Sequence, residues 1–283
     1  MTSGGALVNA ATLLGTRLDA ELLLAHVLDV TRAGVVARDD RVLTPEELGD
    51  FERLLARRVA GEPLAYLTGV KEFWSLELEV TPDVLVPRPE TELLVEWFLS
   101  FPRKRESSVL DLGTGSGAIA LAIANERPDA RVTASDVSHA ALRVASANAS
   151  RLGIRNVTFL QGDLFKALDS RPSTALRTGV RGNDAFDLIV SNPPYVAEGD
   201  PHLAELKYEP AAALIAGADG LDALRAIGAG APAQLRAGGW LLVEHGAAQG
   251  AAVRELMARA GFTGVETRRD LAGHERATGG QRA

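Results

Sequence analysis

A chain of 283 residues that is 46% hydrophobic and 24% charged can bury a sizeable core, and its length suits two domains better than one. Its formal net charge of −7 argues against broad, charge-driven binding to nucleic acid, and the lack of cysteine excludes disulfides, thiolate catalysis and cysteine-ligated metals. No apolar run approaches the roughly 18 residues that span a bilayer, and no secretory signal opens the chain. The expectation is a soluble cytoplasmic protein with no membrane partner.

The first part reads as a helical bundle. From Leu18 the positions Leu22, Leu23, His26 and Val27 share one helical face. Thr44-Pro45-Glu46-Glu47 is a capping-box start, with Thr44 at N-cap, Pro45 at N1 and Glu47 at N3. Leu48, Phe51, Leu55 and Val59 then form an apolar stripe, and Gly61 is a suitable stop. Nothing here suggests chemistry.

Between Phe73 and Val86 the period changes to two: Leu76, Leu78 and Val80 alternate with Glu77, Glu79 and Thr81, and Pro82-Asp83 supplies a turn. This predicts a short β-hairpin joining the bundle to the rest of the chain. "VPRPETELLVEW" (Val86–Trp97) opens a helix, with Pro89 near N1 and acids in the first turn. Strands then alternate with helices: strands at Val109–Leu112, Arg131–Ser135, Val157–Leu160, Phe186–Ser191 and Trp240–Glu244, helices at Ala118–Asn125 and Ser138–Arg151. Such alternation predicts an α/β fold, a doubly wound, Rossmann-like sheet of mostly parallel strands. Ala167–Asp184, rich in Arg, Ser, Thr and Gly, reads as a solvated, mobile insertion.

"VLDLGTGSGAIALAIA" sets Gly113, Thr114, Gly115, Ser116 and Gly117 between a strand and a helix, where glycines allow a sharp turn and close approach of a ligand. Asp136 ends the next strand 23 positions beyond Gly113, near the roughly 20-residue spacing expected of a ribose-binding carboxylate. The glycines run G-x-G-x-G rather than G-x-G-x-x-G, and no lysine follows Gly117 as a phosphate-binding loop requires. Asp111, just before the loop, would repel a pyrophosphate but suits a sulfonium or ammonium, which favours S-adenosylmethionine over NAD. Asp163 in "QGDLF" is placed to meet the adenine amino group, with Leu164 packing on the ring face.

"FDLIVSNPPY" ends a buried strand in Asn192-Pro193-Pro194-Tyr195. Neither proline can extend a ladder, and both make the exit rigid. The Asn192 side-chain oxygen and the Pro193 carbonyl are acceptors that can take both hydrogens of a planar –NH₂ and direct its nitrogen at a methyl donor. They also stabilise the positive charge that develops there. Tyr195 offers a face to the planar group.

The chain resembles the protein-(glutamine-N5) methyltransferases of peptide chain release factors. The resemblance rests on "GEPLAYLTGVKEFWSLELEV", "VLVPRPETELLV", the glycine loop, "FDLIVSNPPYV", "YEPAAALIAGADGLDALRAI", "LLVEHGAAQG" and "DLAGHER". It implies a class I methyltransferase sheet (89–283), an N-terminal helical domain (1–70) that holds a class I release factor, and a hairpin linker (71–88). It implies a catalytic, substrate-binding Asn192, Pro193, Pro194 and Tyr195, with Asn192 also at the cofactor, further substrate contacts from Arg88 and Glu90 in "PRPETE", and the glutamine of a Gly-Gly-Gln motif as target. A monomer with no metal and no direct nucleic-acid contact is expected. Two departures stand out: Glu244-His245-Gly246 where the family usually shows "EIG", and Tyr208-Glu209-Pro210 for Phe-Glu-Pro. Asn-Pro-Pro-Tyr alone also suits an exocyclic amine of a nucleic-acid base or a ribosomal-protein glutamine, and a non-catalytic module is a further alternative. The five histidines show no metal-ligand spacing, and Gly279-Gly280-Gln281 reads as chance in a frayed terminus.

Overall fold

The computed structural model describes residues 1–103, 106–170 and 185–283, and the chain divides into two compact units, Met1–Val70 and Lys71–Ala283. In the first, α1 (Ser3–Leu14), α2 (Arg17–Val27), α3 (Arg32–Val36), α4 (Pro45–Val59) and α5 (Leu64–Thr68) enclose a core around Leu7, Leu23, Leu24, Phe51 and Leu55. The capping box at Thr44 forms with both of its hydrogen bonds. The face of α2 is rotated from expectation: Ala20, Leu23 and Leu24 are buried, while His26 is exposed. The phase was hidden by Glu21, a carboxylate that is buried because Arg17 (2.8 Å) and Arg32 (2.7 Å) both pair with it.

The hairpin comprises β1 (Val70–Phe73) and β2 (Leu76–Glu79). Its turn is Trp74-Ser75, not Pro82-Asp83: both turn residues have positive φ, 51° and 59°, as a tight two-residue connection demands. Tertiary contacts hold Trp74 there, since its N–H donates to Glu92 Oε1 (2.9 Å) and its indole to Glu126 Oε1 (3.0 Å). Thr81 and Asp83 instead make a local turn after β2.

In the second unit, α6 (Glu92–Ser100), β3 (Ser108–Leu112), α7 (Ala118–Glu126), β4 (Arg131–Asp136), α8 (His139–Leu152), β5 (Val157–Gln161), β6 (Phe186–Ser191), α9 (Asp222–Gln234), β7 (Leu235–Glu244), α10 (Gly250–Arg259), β8 (Phe262–Arg269) and β9 (Glu275–Arg282) follow in order. Among the described residues they build a seven-stranded sheet of order β5-β4-β3-β6-β7-β9-β8, parallel except where β9 runs antiparallel to β7 and β8. β3 is buried along its whole length, as its unbroken apolar run with one acid requires. Strand order reverses between β3 and β6, and ligands bind such sheets at the carboxyl ends beside the reversal.

The expected insertion is corrected only at its first residue, and the reading of Gly279-Gly280-Gln281 changes. The segment 171–184 lies outside the described residues, while Ala167 is buried and packs against Gly162, where any Cβ would come within 2.5 Å of the Ala167 Cα. Gly279-Gly280-Gln281 is no frayed end but lies in the second half of β9, paired with β7 and β8. A Cβ on Gly279 would meet Leu242 Cδ2 at 2.5 Å and the Trp97 ring at 2.8 Å, so two bulky side chains use the space that glycine leaves.

Candidate active site

The glycine loop leaves β3 and turns back toward β4. The Gly113 and Thr114 amides both donate to the Ser135 carbonyl at 2.9 Å, which draws the loop onto the end of β4. Gly113, Gly115 and Gly117 have φ of 72°, 56° and 87°, a region costly for any residue with a Cβ. They serve different ends. A Cβ on Gly117 would press on Leu121 (3.0 Å) and Ala145 (3.2 Å), whereas one on Gly113 or Gly115 would meet nothing within 4 Å. Gly117 closes the helix against its neighbour; Gly113 and Gly115 open a backbone cradle.

Asp136 accepts from the amides of Gly115 (2.9 Å) and Ser138 (2.8 Å), one on each carboxylate oxygen. Burial raises its carboxyl above the ordinary value, and these donors oppose the rise. Each oxygen keeps a lone pair for a hydroxyl. The next residue, Val137, is an apolar side chain 63% exposed at the same strand end. Asp111 is fully buried; burial pushes its carboxyl up to about 7, against the Thr114 hydroxyl that donates to Oδ2 at 2.6 Å. Ser116 is buried and presents its carbonyl to Asn148 Nδ2 at 3.0 Å, so its role is to seat the loop. Asp163 is exposed and pairs with Lys166 at 3.0 Å, and half-buried Leu164 follows it in a 3₁₀ turn with φ of 47°.

Asn192 follows β6 and Glu244 ends β7. The parallel register pairs Ser191 with Val243, so the next residues, Asn192 and Glu244, emerge side by side. Thr91, at the end of the 3₁₀ turn Pro89–Thr91, fits between them. Asn192 Nδ2 donates to Thr91 Oγ1 at 3.1 Å, Thr91 donates to Glu244 Oε2 at 2.6 Å, and the Tyr195 hydroxyl donates to Glu244 Oε1 at 3.2 Å. Asn192 Oδ1 is buried and accepts no hydrogen bond. Burial holds the Tyr195 phenol above its usual value, and the adjacent Glu244 adds to this.

The structure thus brings Gly113 to Gly117 together with Asp136, and Asn192 together with Tyr195. Buried Pro193 and half-buried Pro194 lie between the last two. Arg88 pairs with the buried carboxylate of Glu209, whose other oxygen takes the Val86 amide at 3.1 Å. That pair ties "PRPETE" to "YEP", so Arg88 is anchored within the protein. Glu90 sits half-buried on the same turn. The unexpected His245 is buried and uncharged: burial lowers its pKa, Nδ1 meets the Gly246 carbonyl at 2.9 Å and Nε2 the Thr278 hydroxyl at 2.8 Å. The other four histidines are exposed, and among the described residues no cluster could hold a metal. Sequence reading missed Thr91 and Glu244. The one signal was that Glu244 ends a strand, as the residue before Asn192 does.

A glycine cradle and a strand-end acid on this sheet order define a class I methyltransferase. A family profile described as a methyltransferase domain matches residues 103–263, and one described as the PrmC N-terminal domain matches residues 6–69. The chain is 50% identical over 284 residues to the release factor glutamine methyltransferase of Xylella fastidiosa strain Temecula1, covering 99% of this chain and 98% of that protein. It is 51% identical over 272 residues to the protein of the same name from Burkholderia pseudomallei strain K96243, covering 93% and 91%. The chain belongs to the release factor glutamine methyltransferase family. Two solved structures share the fold alone. A methyltransferase from Pyrococcus furiosus has a TM-score of 0.54 at 19% identity, covering 82% of this chain and 99% of that one. A ribosomal protein L11 methylase from Lactobacillus delbrueckii has a TM-score of 0.51 at 19% identity, covering 72% and 83%.

Proposed function

We propose that this protein methylates the side-chain amide nitrogen of the glutamine in the Gly-Gly-Gln motif of class I release factors, with S-adenosylmethionine as donor. The observation that carries the reading is Asn192 Oδ1, a buried acceptor with no partner, at the carboxyl end of β6 next to the glycine cradle. A buried, unpaired acceptor costs about 1–3 kcal/mol, which a substrate N–H would recover.

The residues fit the donor. Gly113 and Gly115 leave room for its carboxyl-bearing end, Asp136 keeps lone pairs for ribose hydroxyls, and Val137 offers an apolar face to adenine. Asp163 retains one oxygen for the adenine amine beside its Lys166 pair, and Leu164 packs near it. When bound, S-adenosylmethionine supplies a methyl group on a positively charged sulfur. Asn192 Oδ1 and the Pro193 carbonyl accept the two hydrogens of the glutamine –NH₂, hold its nitrogen in line and offset its developing charge. Pro194 keeps the loop rigid and Tyr195 flanks the amide plane. Arg88, through Glu209, sets the path of the turn that carries Glu90 toward the substrate. Residues 1–70 grip the release factor elsewhere, which raises the effective concentration of a flexible loop.

Labelled-methyl transfer to release factor, to its Gln→Ala form and to DNA tests the reading. Label on the factor alone is expected; label on DNA, or equal label on both factor forms, overturns it. Asn192→Ala should cut turnover by about 100-fold or more while donor affinity stays, as loss of a positioned acceptor predicts.

A further inference from the structure

An asparagine carries an acceptor and a donor on one planar group, and only the acceptor can serve a substrate –NH₂. Something must decide which atom faces the substrate. Thr91 has a single hydroxyl hydrogen, and its 2.6 Å contact with Glu244 Oε2 consumes it, because an ionised carboxylate can only accept. Thr91 Oγ1 then has only lone pairs to offer, so the Asn192 atom 3.1 Å away must be the Nδ2 donor. Asn192 Oδ1 is forced to the opposite side, where it has no partner in the protein. The Tyr195 hydroxyl occupies the other carboxylate oxygen at 3.2 Å, which fixes Glu244 in turn.

We propose that Thr91 and Glu244 are positioning residues that set the orientation of the Asn192 carboxamide, so that its oxygen rather than its nitrogen meets the substrate amide. The inference rests on the acceptor role given to Asn192. It assigns work to two residues that touch neither substrate nor donor. It also gives "PRPETE" a purpose, since that segment delivers Thr91 from a turn 101 positions before Asn192.

The device has a wrong state, one proton away. If Glu244 is protonated it can donate to Thr91 Oγ1, which frees the threonine hydrogen to point at Asn192; the carboxamide can then turn over and present Nδ2 to the substrate. The groups facing Glu244 are Thr91 and Tyr195 through hydrogen bonds, Arg276 from β9 and Glu90 from the 3₁₀ turn. Burial, with a smaller push from Glu90, brings its carboxyl to about 7 against the pull of the other three.

The test uses the full chain with purified release factor and S-adenosylmethionine. Thr91→Val keeps the shape but removes the hydroxyl. It should lower kcat about tenfold or more, with KM for the factor and Kd for the donor within about twofold of the parent. Thr91→Ser should restore most of the turnover. An unchanged kcat in Thr91→Val, or a loss confined to KM, overturns the proposal. Turnover retained by Asn192→Ala would instead sink the acceptor reading beneath it, so the two failures are distinguishable. Should Thr91→Val not fold, the pH profile of Glu244→Gln decides, since glutamine still accepts from Thr91 but does not titrate. Because Asp111 also titrates near 7, kcat is read at saturating donor in an Asp111→Asn background with and without Glu244→Gln. An acid limb near pH 7 in that background that Glu244→Gln removes supports the proposal. The same limb in both overturns it.

Discussion

The Gly115 amide donates to Asp136 Oδ2 across 2.9 Å, so the cradle and the acid that follows it form one hydrogen-bonded unit. The other oxygen of Asp136 takes the Ser138 amide at 2.8 Å, at the N-cap of α8. Asparagine cannot reproduce this arrangement, because its –NH₂ would face one of two N–H donors. Asp136→Asn should weaken binding of S-adenosylmethionine by about tenfold or more and lower stability by about 1–3 kcal/mol, the cost of an unmatched buried polar group. Calorimetric titration with the donor and a thermal melt measure the two effects. Wild-type affinity in this variant would remove Asp136 from the donor site.

The glycines of the loop should separate when each is given a methyl group. Both Gly113→Ala and Gly117→Ala lose roughly 1 kcal/mol or more to positive φ. Only at Gly117 does the new Cβ also crowd Leu121 and Ala145. Gly117→Ala should therefore melt well below Gly113→Ala. Gly113→Ala should stay folded and lose donor affinity, because its methyl group projects into open space over the cradle. Unchanged affinity in Gly113→Ala would mean that no ligand approaches the backbone there.

These elements could be read from the sequence because their signals are local. An apolar run, three glycines and an acid at a set spacing describe strand, turn, helix and strand without reference to anything distant, and the break at Asn192-Pro193-Pro194 is equally local. The rest depends on contacts across the fold. The face of α2 was misphased because Glu21 is buried only by virtue of its two arginines. Thr91 and Glu244 stand 153 positions apart, and only the register of β6 with β7 brings Glu244 beside Asn192. The strand β9, "ERATGGQR", has neither alternation nor an apolar run; its pairing with β7 and β8 makes it a strand.

Buried Asp111 links stability to pH. Its folded pKa, about 7, lies above the ordinary 3.8, so the folded state binds the extra proton between those values. Its contribution is most favourable below pH 3.8 and is lost as pH rises through 7. The loss is at most about 4 kcal/mol at 1.36 kcal/mol per pKa unit. Asp111→Asn removes this penalty and still accepts from Thr114. The donor-free variant should melt higher than the parent at pH 8, with the gap closing toward pH 5. Glu244 contributes a slope of the same sign that the variant leaves in place. If the carboxylate also serves the positively charged donor, the same variant should bind S-adenosylmethionine more weakly at pH 8. A variant less stable at pH 8 than at pH 5, relative to the parent, contradicts the sign.

The Gly-Gly-Gln of β9 repeats the motif of the proposed substrate, yet its setting argues against methylation. Gly279 pairs with Leu242 of β7 and Glu266 of β8, and Gly280 with Leu241, so both backbones are held within the sheet. The Gln281 carboxamide commits an Nε2 hydrogen to the Gly238 carbonyl at 2.9 Å. To reach Asn192 the strand would have to leave the sheet and uncover Trp97 and Leu242. Intact mass after incubation with S-adenosylmethionine should show no added methyl group on the C-terminal peptide. Gly279→Ala should lower stability by roughly 1–3 kcal/mol, as overpacking of a filled core does, because its Cβ would meet Leu242 Cδ2 and the Trp97 ring inside van der Waals contact. Methylation of Gln281 together with a tolerated Gly279→Ala would show that β9 leaves the sheet, and the motif would then be an internal substrate rather than a packing device.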